Sequence, residues 1–391
     1  MQIPPYRTYA EIDLSAAREN YRAVCAAAPK ARVCCVVKAN AYGHGAVRLA
    51  REYSALGCRN FAVATLTEAL ELREAGIAGD VLILGYTPPD FAQPLLENSL
   101  AQTVFDLETA REYSVAAQKA RKTLTLHAKI ETGMGRLGFL SAEPLAEAMS
   151  LPGLRVEGAF SHFAVSDEAG GEEYTCRQFE TFTETVCRAE DAAGLRLAVK
   201  HICNSGGIFN YPEYHLDMVR AGICLYGCAP EPIAGRDPAR LTPVMSLKTR
   251  IASVKRVKAG QTVSYGRTYT AQAPSNIAVL PAGYADGLPR IASGKFSVAV
   301  GDKLYPQVGR ICMDMCMVNL GEDAVPAGTE AVIFGKHPAQ TAKDLAECAG
   351  TISYEVLCAV SGRVPRSYTG EATQRTNWNL EAVFGREELM E

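Results

Sequence analysis

The sequence predicts an α/β protein, an amino-terminal (β/α)8 barrel of the TIM type followed by a smaller, β-rich carboxyl-terminal domain. Three observations carry this expectation. Eight short β-prone runs alternate with helical stretches from residue 32 to about 227, the pattern of a barrel built from β/α units. Near Pro230 the texture changes, through the Pro- and Gly-punctuated APEPIAGRDPARLTP, to β-like runs. At 391 residues, the chain exceeds what one core usually organises.

The eight runs are RVCCVVK, NFAVA, VLILG, AQTVFD, TLTLHAKI, VEGAFSHFA, AVKHICNS and DMVRAGICLYG. Between them, residues 67–76, 107–120 and 174–194 place apolar side chains at helical spacing. The second domain starts at about 236, so the expected division is 1–235 and 236–391. Its strand candidates are VMSLKTRIASVKRV, NIAVLPAGY, KFSVAVG and AVIFG, with one helix at 341–350.

Composition narrows the function classes. Hydrophobic residues at 48% and charged residues at 21% fit a globular enzyme and set aside disordered and fibrous chains. A net charge of −3 with no Lys/Arg run speaks against a nucleic-acid partner and for a small-molecule substrate. The start, MQIPPYRTYAEIDL, lacks a basic segment followed by an apolar one, and no run approaches ~18 apolar residues. The expectation is a cytoplasmic protein with no membrane partner. The thirteen cysteines are scattered, without a CxxC pair, so they are read as reduced thiols. Cys312 and Cys316 have no companion motif, and no metal is expected.

Barrel enzymes carry their chemistry at the carboxyl ends of strands. Lys38 ends the first run, and Tyr42, Gly43, His44 and Gly45 form a tight turn after it. An amine placed there can lose its proton through desolvation and attack a carbonyl. Alone, it would read as a surface cation snorkelling from a strand end. Its company raises the odds: His162 ends the sixth run, Asn204 and Ser205 end the seventh, and Arg220, Gly222 and Ile223 occupy the eighth and its turn. Barrels often bind phosphate after their last two strands.

In chain order, AEIDLSAARENY, VVKANAYGHG, KIETGMGRLG, HICNS, RAGICLYG, VSYGRTY, AGYADG, VGRICMDM and ISYE resemble the alanine racemase family, pyridoxal-phosphate enzymes of fold type III. VVKANAYGHG is the most specific of these. The resemblance implies that Lys38 carries pyridoxal 5'-phosphate as a Schiff base. It also implies that Tyr42, Ser205, Gly222, Ile223 and Tyr354 hold the phosphate, with Asn204 among the cofactor contacts and His162 beside the ring. Arg220 would hydrogen-bond the pyridine nitrogen. A guanidinium cannot accept a proton, so the ring stays neutral, a weaker electron sink that favours prompt reprotonation at the α-carbon. Without the cofactor lysine, an interior salt bridge would explain Arg220 about equally well.

Racemisation needs a base on each face of the substrate. The resemblance makes Lys38 one and Tyr265 of the partner subunit the other, so a homodimer shares its sites. A free tyrosine has a pKa of ~10 and needs support to act as a base. Arg136 is implied to give it, held in turn by a carbamylated Lys129. Met313 and Asp314 are implied to reach over from the partner subunit, Met313 to bind substrate. Asp167, Tyr284, Arg290, Arg310 and Tyr354 are implied to line a corridor that admits small side chains. The activity implied is interconversion of L- and D-alanine, supplying D-alanine for peptidoglycan.

Serine is the main rival substrate, because an apolar pocket rejects an added hydroxyl by only ~100-fold. Tyr354 favours alanine. Decarboxylases of this fold usually place an acid at the pyridine nitrogen, which Arg220 is not. A non-catalytic cofactor-binding barrel would not need Tyr265, and a racemase module of a membrane protein has no spanning segment here to support it.

Overall fold

The computed structural model describes residues 7–236 and 238–370. The chain opens with β1 (Tyr9–Asp13), and the Asp13 carboxylate accepts from the Ala16 N–H, capping helix Leu14–Ala27. The barrel strands follow: β2 (Arg32–Val36), β3 (Asn60–Val63), β4 (Asp80–Ile83), β5 (Ala101–Val104), β6 (Leu124–Lys129), β7 (Leu154–Phe160), β8 (Val199–His201) and β9 (Met218–Ala221). They pair in the order β8-β7-β6-β5-β4-β3-β2-β9, every ladder parallel. The two ends of the sheet meet where Asp217 N–H donates to Lys200 O (3.1 Å) and Arg220 N–H to Cys203 O (3.0 Å), so the sheet wraps into the barrel that the eight runs predict.

Parallel strands are covered on both faces, hence the apolar runs of β3 and β4. Phe61, Ala62 and Val63 of β3 are all buried, as are Val81, Leu82 and Ile83 of β4. The expected helices appear as Leu66–Glu74, Leu107–Ala120 and Glu172–Ala193. Thr65 and Glu68 start the first with a reciprocal capping box, and Asp106 caps the second.

The second domain is a nine-stranded sheet. β1 joins it, antiparallel to Met245–Arg250 and parallel to Arg366–Thr369. The chain therefore crosses from this sheet into the barrel and back, so the second sheet takes one strand from ahead of the barrel. The run 244–257 forms two strands, Met245–Arg250 and Ser253–Val257, which pair with different neighbours, Glu330–Phe334 and Ser275–Leu280. Lys303–Val308, which contains Pro306, Cys316–Gly321 and Arg366–Thr369 lacked a clear sequence signal. The expected helix is Ala342–Ala349, capped by Thr341, and an unexpected one follows at Ser353–Ala359.

The buried Asp286 carboxylate ties the domain together. It accepts from both terminal nitrogens of Arg7 (2.7 and 3.0 Å), from Arg363 Nε (2.9 Å) and from Gly283 N–H (2.8 Å). Arg363 also donates to Asp314 (2.8 Å). No helix among the described residues is long and apolar enough to cross a membrane.

Candidate active site

At the carboxyl end of the barrel lies a cavity of about 310 Å3. It collects the barrel candidates Lys38, Tyr42, Lys129, Arg136, His162, Asn204, Ser205, Arg220, Gly222 and Ile223, and adds Tyr354 from helix Ser353–Ala359. Asp167 lies beside them, its Cβ packed near Gly206. Burial raises its carboxyl pKa.

Lys38 stands at the entrance to an unusual turn. Ala39, Asn40, Ala41 and Tyr42 all have φ between 50° and 53°, and the first three have ψ near 49°: a left-handed helical turn built without glycine. Such a conformation costs roughly 1–2 kcal/mol per residue, so it persists only where its surroundings hold it. Glu68 accepts from Ala39 N–H (2.6 Å) and, at its other oxygen, from Ala64 N–H (2.7 Å). Asn40 Oδ1 accepts from Ala46 N–H (2.8 Å). The buried His44 Nδ1 lies 2.9 Å from the carbonyls of both Ala41 and Tyr42, an arrangement that puts its proton on Nδ1. A side chain at Gly45 would collide with the Tyr368 hydroxyl, so that glycine permits the fit.

The turn directs Tyr42 toward Gly222, where an added Cβ would lie 2.9 Å from the tyrosine Oη. Ser205 Oγ accepts from Gly222 N–H (3.2 Å) and Cys224 N–H (3.4 Å). Hydroxyls, convergent N–H groups and a position open only because it lacks a side chain make a cradle for a phosphate. Asn204 closes it from behind, with Oδ1 capping Gly207 N–H (3.0 Å) and accepting from Ser166 Oγ (2.7 Å).

Arg220, 3% exposed, is held entirely by neutral acceptors. Its terminal nitrogens donate to Ser161 O (2.7 Å), Ile202 O (3.0 Å), His201 O (3.2 Å), His201 Nδ1 (2.8 Å) and His162 Nδ1 (3.2 Å). Among the described residues no carboxylate pairs with it, so the interior salt bridge weighed from the sequence is not formed. Burial lowers its pKa to about 10, which still leaves a cation at neutral pH. Burial, then that cation, keeps His162 and His201 neutral, their pKa values well below the usual range.

Two amines face this cation. Burial, then Arg136, lowers the pKa of Lys38, with Glu68 opposing. Burial and Arg220 bring Lys129 down to about 8, and its Nζ donates to Ile130 O (2.8 Å) and Ser161 Oγ (3.3 Å). Arg136 sits in an exposed loop that Glu131 gathers by accepting from the N–H groups of Gly133, Gly135 and Arg136.

The other second-domain candidates lie outside the cavity. Tyr265, Met313 and Tyr284 are 68%, 54% and 42% exposed. They belong to adjoining turns: Tyr284 N–H donates to Cys312 O (3.0 Å), and a Cβ on Gly266 would meet the Arg310 guanidinium at 3.0 Å. Asp314 is tied to Arg363, and Arg290 begins the short helical turn Arg290–Ala292. Ser264 presents Tyr265 from a strained backbone (φ 70°, ψ −179°), with its Oγ donating to Arg310 O (2.6 Å). Glu68, His127, His201 and Ser264 escaped the sequence reading. His127 and His201 lie inside the quoted runs, but nothing in their spacing marks them.

Fold and site together define a barrel enzyme with a desolvated amine and a phosphate cradle at its carboxyl mouth. Residues 12–230 match the family described as alanine racemase, N-terminal domain, and residues 244–368 match the alanine racemase C-terminal domain. The chain belongs to the alanine racemase family. It is 44% identical over 367 residues to an alanine racemase of Clostridium perfringens, covering 92% of this chain and 95% of the relative. A Desulfovibrio desulfuricans alanine racemase is 45% identical over 365 residues, 92% of this chain and 97% of that one. Among solved structures, the Clostridium difficile alanine racemase superposes with a TM-score of 0.89 at 38% identity, covering 95% of this chain and 98% of that one. The Streptomyces lavendulae enzyme gives 0.89 at 40% identity with the same coverage.

Proposed function

We propose the residue roles by which this chain racemises alanine: a two-base reaction on pyridoxal 5'-phosphate, with Lys38 on one face and Tyr265 of the partner subunit on the other. The single observation that carries the cofactor reading is the buried Arg220, a donor-only cation without a carboxylate, in the same cavity as Lys38 and the Gly222 cradle. These residues fit the cofactor group by group. Lys38 would hold it covalently, and Tyr42, Ser205, Gly222, Ile223 and Tyr354 would take its phosphate. His162 would flank the ring and Arg220 would donate to the ring nitrogen. The chemistry it supplies when bound is electron withdrawal that acidifies the substrate α-hydrogen.

Arg220 can donate a hydrogen bond but not accept one, and it keeps its proton because a guanidinium is a far weaker acid than a pyridinium, so it orients the ring without protonating it. That limits electron withdrawal to what racemisation needs. Lys38, desolvated and beside other cations, has a larger neutral fraction than an exposed lysine and can take or return a proton at the α-carbon. Each site needs a second acid/base, and the exposed Tyr265 face is the part of this chain suited to supply one to a second copy. Met313, Asp314, Tyr284, Arg290 and Arg310 would accompany it, Met313 to bind substrate and the rest, with Asp167, to line the approach. The reading includes a cytoplasmic location, where free thiols such as Cys187 and Cys358 stay reduced, and a supply of D-alanine for peptidoglycan.

The test is to purify the protein, record its near-visible absorbance, and follow L- and D-alanine against L- and D-serine by chiral separation. Alanine turnover well above serine, with bound cofactor, is the expected result. Equal or faster serine turnover would move the assignment to serine. Tyr265→Phe is expected to lose roughly 10²–10⁴-fold in racemisation, the usual worth of a general acid/base, while keeping the absorbance. Loss of cofactor instead would make Tyr265 structural. Dimers mixed from Lys38→Ala and Tyr265→Phe chains should regain activity, because one of the two sites then has both bases; no recovery would refute site sharing.

Lys129 is proposed to carry a carbamate that steadies Arg136. With its pKa near 8, a tenth or so of the amine is neutral at pH 7 and open to carbon dioxide. Electron density should show three added atoms on Nζ, and a bare amine would count against it.

A further inference from the structure

Behind Arg220 the barrel axis holds a second polar layer that the reaction as described does not use. His201, fully buried, accepts from Arg220 at Nδ1 (2.8 Å), and its Nε2 lies 3.0 Å from Nδ1 of His127. The His201 ring stacks on Phe160 (centroids 5.0 Å apart, 10° between planes) and meets His127 edge-on at 64°. Gly158 makes room for this packing, since a Cβ there would come within 2.7 Å of His127 Cε1 and Nδ1.

The direction of these bonds follows from chemistry. A guanidinium only donates, so His201 Nδ1 must be the acceptor. A neutral His201 then carries its proton on Nε2 and gives that hydrogen bond to His127 Nδ1. His127 in turn has its proton on Nε2, its remaining nitrogen. That ring is 8% exposed and lines a separate cavity of about 500 Å3 at the amino ends of the strands, with Arg32, Asp80, Leu124, Arg155 and Val199 around it. A one-way chain thus runs from the reaction side of the barrel to its opposite mouth.

We propose that His127 is a positioning residue for racemisation, acting through His201 to hold the Arg220 guanidinium as a fixed donor. The inference rests on Arg220 serving the cofactor ring nitrogen. Without an acceptor at His127, the His201 Nε2–H is left unpaired in the barrel interior, a costly state for a buried donor. His201 can then escape only by moving its proton to Nδ1 or by turning its ring. Either change takes the acceptor away from Arg220, which is free to shift among its remaining carbonyl partners. An active-site donor that shifts by a fraction of an ångström serves the reaction less well without altering how substrate binds.

Neutron diffraction from the enzyme as purified reads the chain directly: both histidines should be neutral with deuterium on Nε2, and deuterium on Nδ1 of either overturns the proposal even if no variant folds. His127→Asn keeps an acceptor close to the Nδ1 position, whereas His127→Leu removes it. His127→Leu should lower kcat roughly tenfold with KM for alanine within about twofold, the loss of one buried polar contact. It should also shift the near-visible band of the bound cofactor, while His127→Asn stays close to wild type on both measures. Equal losses in the two variants, or an indifferent His127→Leu, overturn the relay. Arg220→Lys separates the inference from its premise. If that variant turns over like wild type, the ring-nitrogen assignment fails and the relay with it. If Arg220→Lys is impaired and His127→Leu is not, the relay alone fails.

Discussion

Lys38→Ala is expected to reduce racemisation by roughly 10³-fold or more, since it removes a covalent anchor and a general base together, and to abolish the near-visible absorbance of lysine-bound cofactor. The site gives that lysine a surround no nearby side chain can replace. It leads into the left-handed turn at Ala39–Tyr42, which Glu68, Asn40 and His44 brace. Burial and the Arg136 and Arg220 cations lower its pKa, raising the neutral fraction that a nucleophile needs. Lys129, the nearest amine in character, is engaged with Ile130 O and Ser161. Lys38→Arg sharpens the test, because it keeps the positive charge but holds its proton at any working pH. It should be about as inactive as Lys38→Ala. Restored activity in Lys38→Arg would reduce Lys38 to an electrostatic role, and cofactor-dependent turnover by Lys38→Ala at the wild-type rate would end the assignment.

The barrel was legible because a strand buried on both faces is mostly apolar, and runs such as RVCCVVK, NFAVA and VLILG have that texture, although the buried Gln102, Thr103 and His201 interrupt others. The residues just past those runs were legible for a related reason: polar groups follow apolar strands where the chain leaves the core. Other features are set by tertiary contacts that no local pattern encodes. Positive φ at Ala39 and Ala41 contradicts the preference of alanine and is imposed by Glu68 and His44. The partners of β1 lie more than 230 residues away, so its place in the second sheet could not be read from its own sequence. His201 and His127 resemble ordinary core histidines until their distances to Arg220 and to each other are known. The role of Tyr265 needs a second chain, and in one chain it is simply an exposed side chain on a strained turn.

Acid should unfold this enzyme early and steeply. His44, His127, His162 and His201 are held neutral, His44 and His127 with pKa values near 4 and the other two well below the usual value. In each case burial is the first cause, with Arg220 adding its charge for the last three. Unfolded, each returns to about 6.5. The unfolded chain therefore binds more protons than the folded one between about pH 6.5 and 4, and stability must fall with pH across that window. The stabilisation is fully present above pH 6.5 and is lost as the pH drops toward the folded values. From pH 7.5 to 5 the loss is roughly 2 kcal/mol for each of His44 and His127, and His162 and His201 add to it in the same direction. Losses of this size are a large share of the stability of a typical domain. Most exposed carboxylates stay ionised down to pH 5, so the histidines dominate this range. Denaturant unfolding at pH 7.5, 6.5, 5.5 and 5 would measure the slope, with cofactor retention followed alongside. A total change under about 2 kcal/mol would mean that most of these rings already carry a proton in the folded enzyme, and a protonated His201 could not accept from Arg220. The stability curve therefore tests the same neutral rings on which the orientation of Arg220 depends.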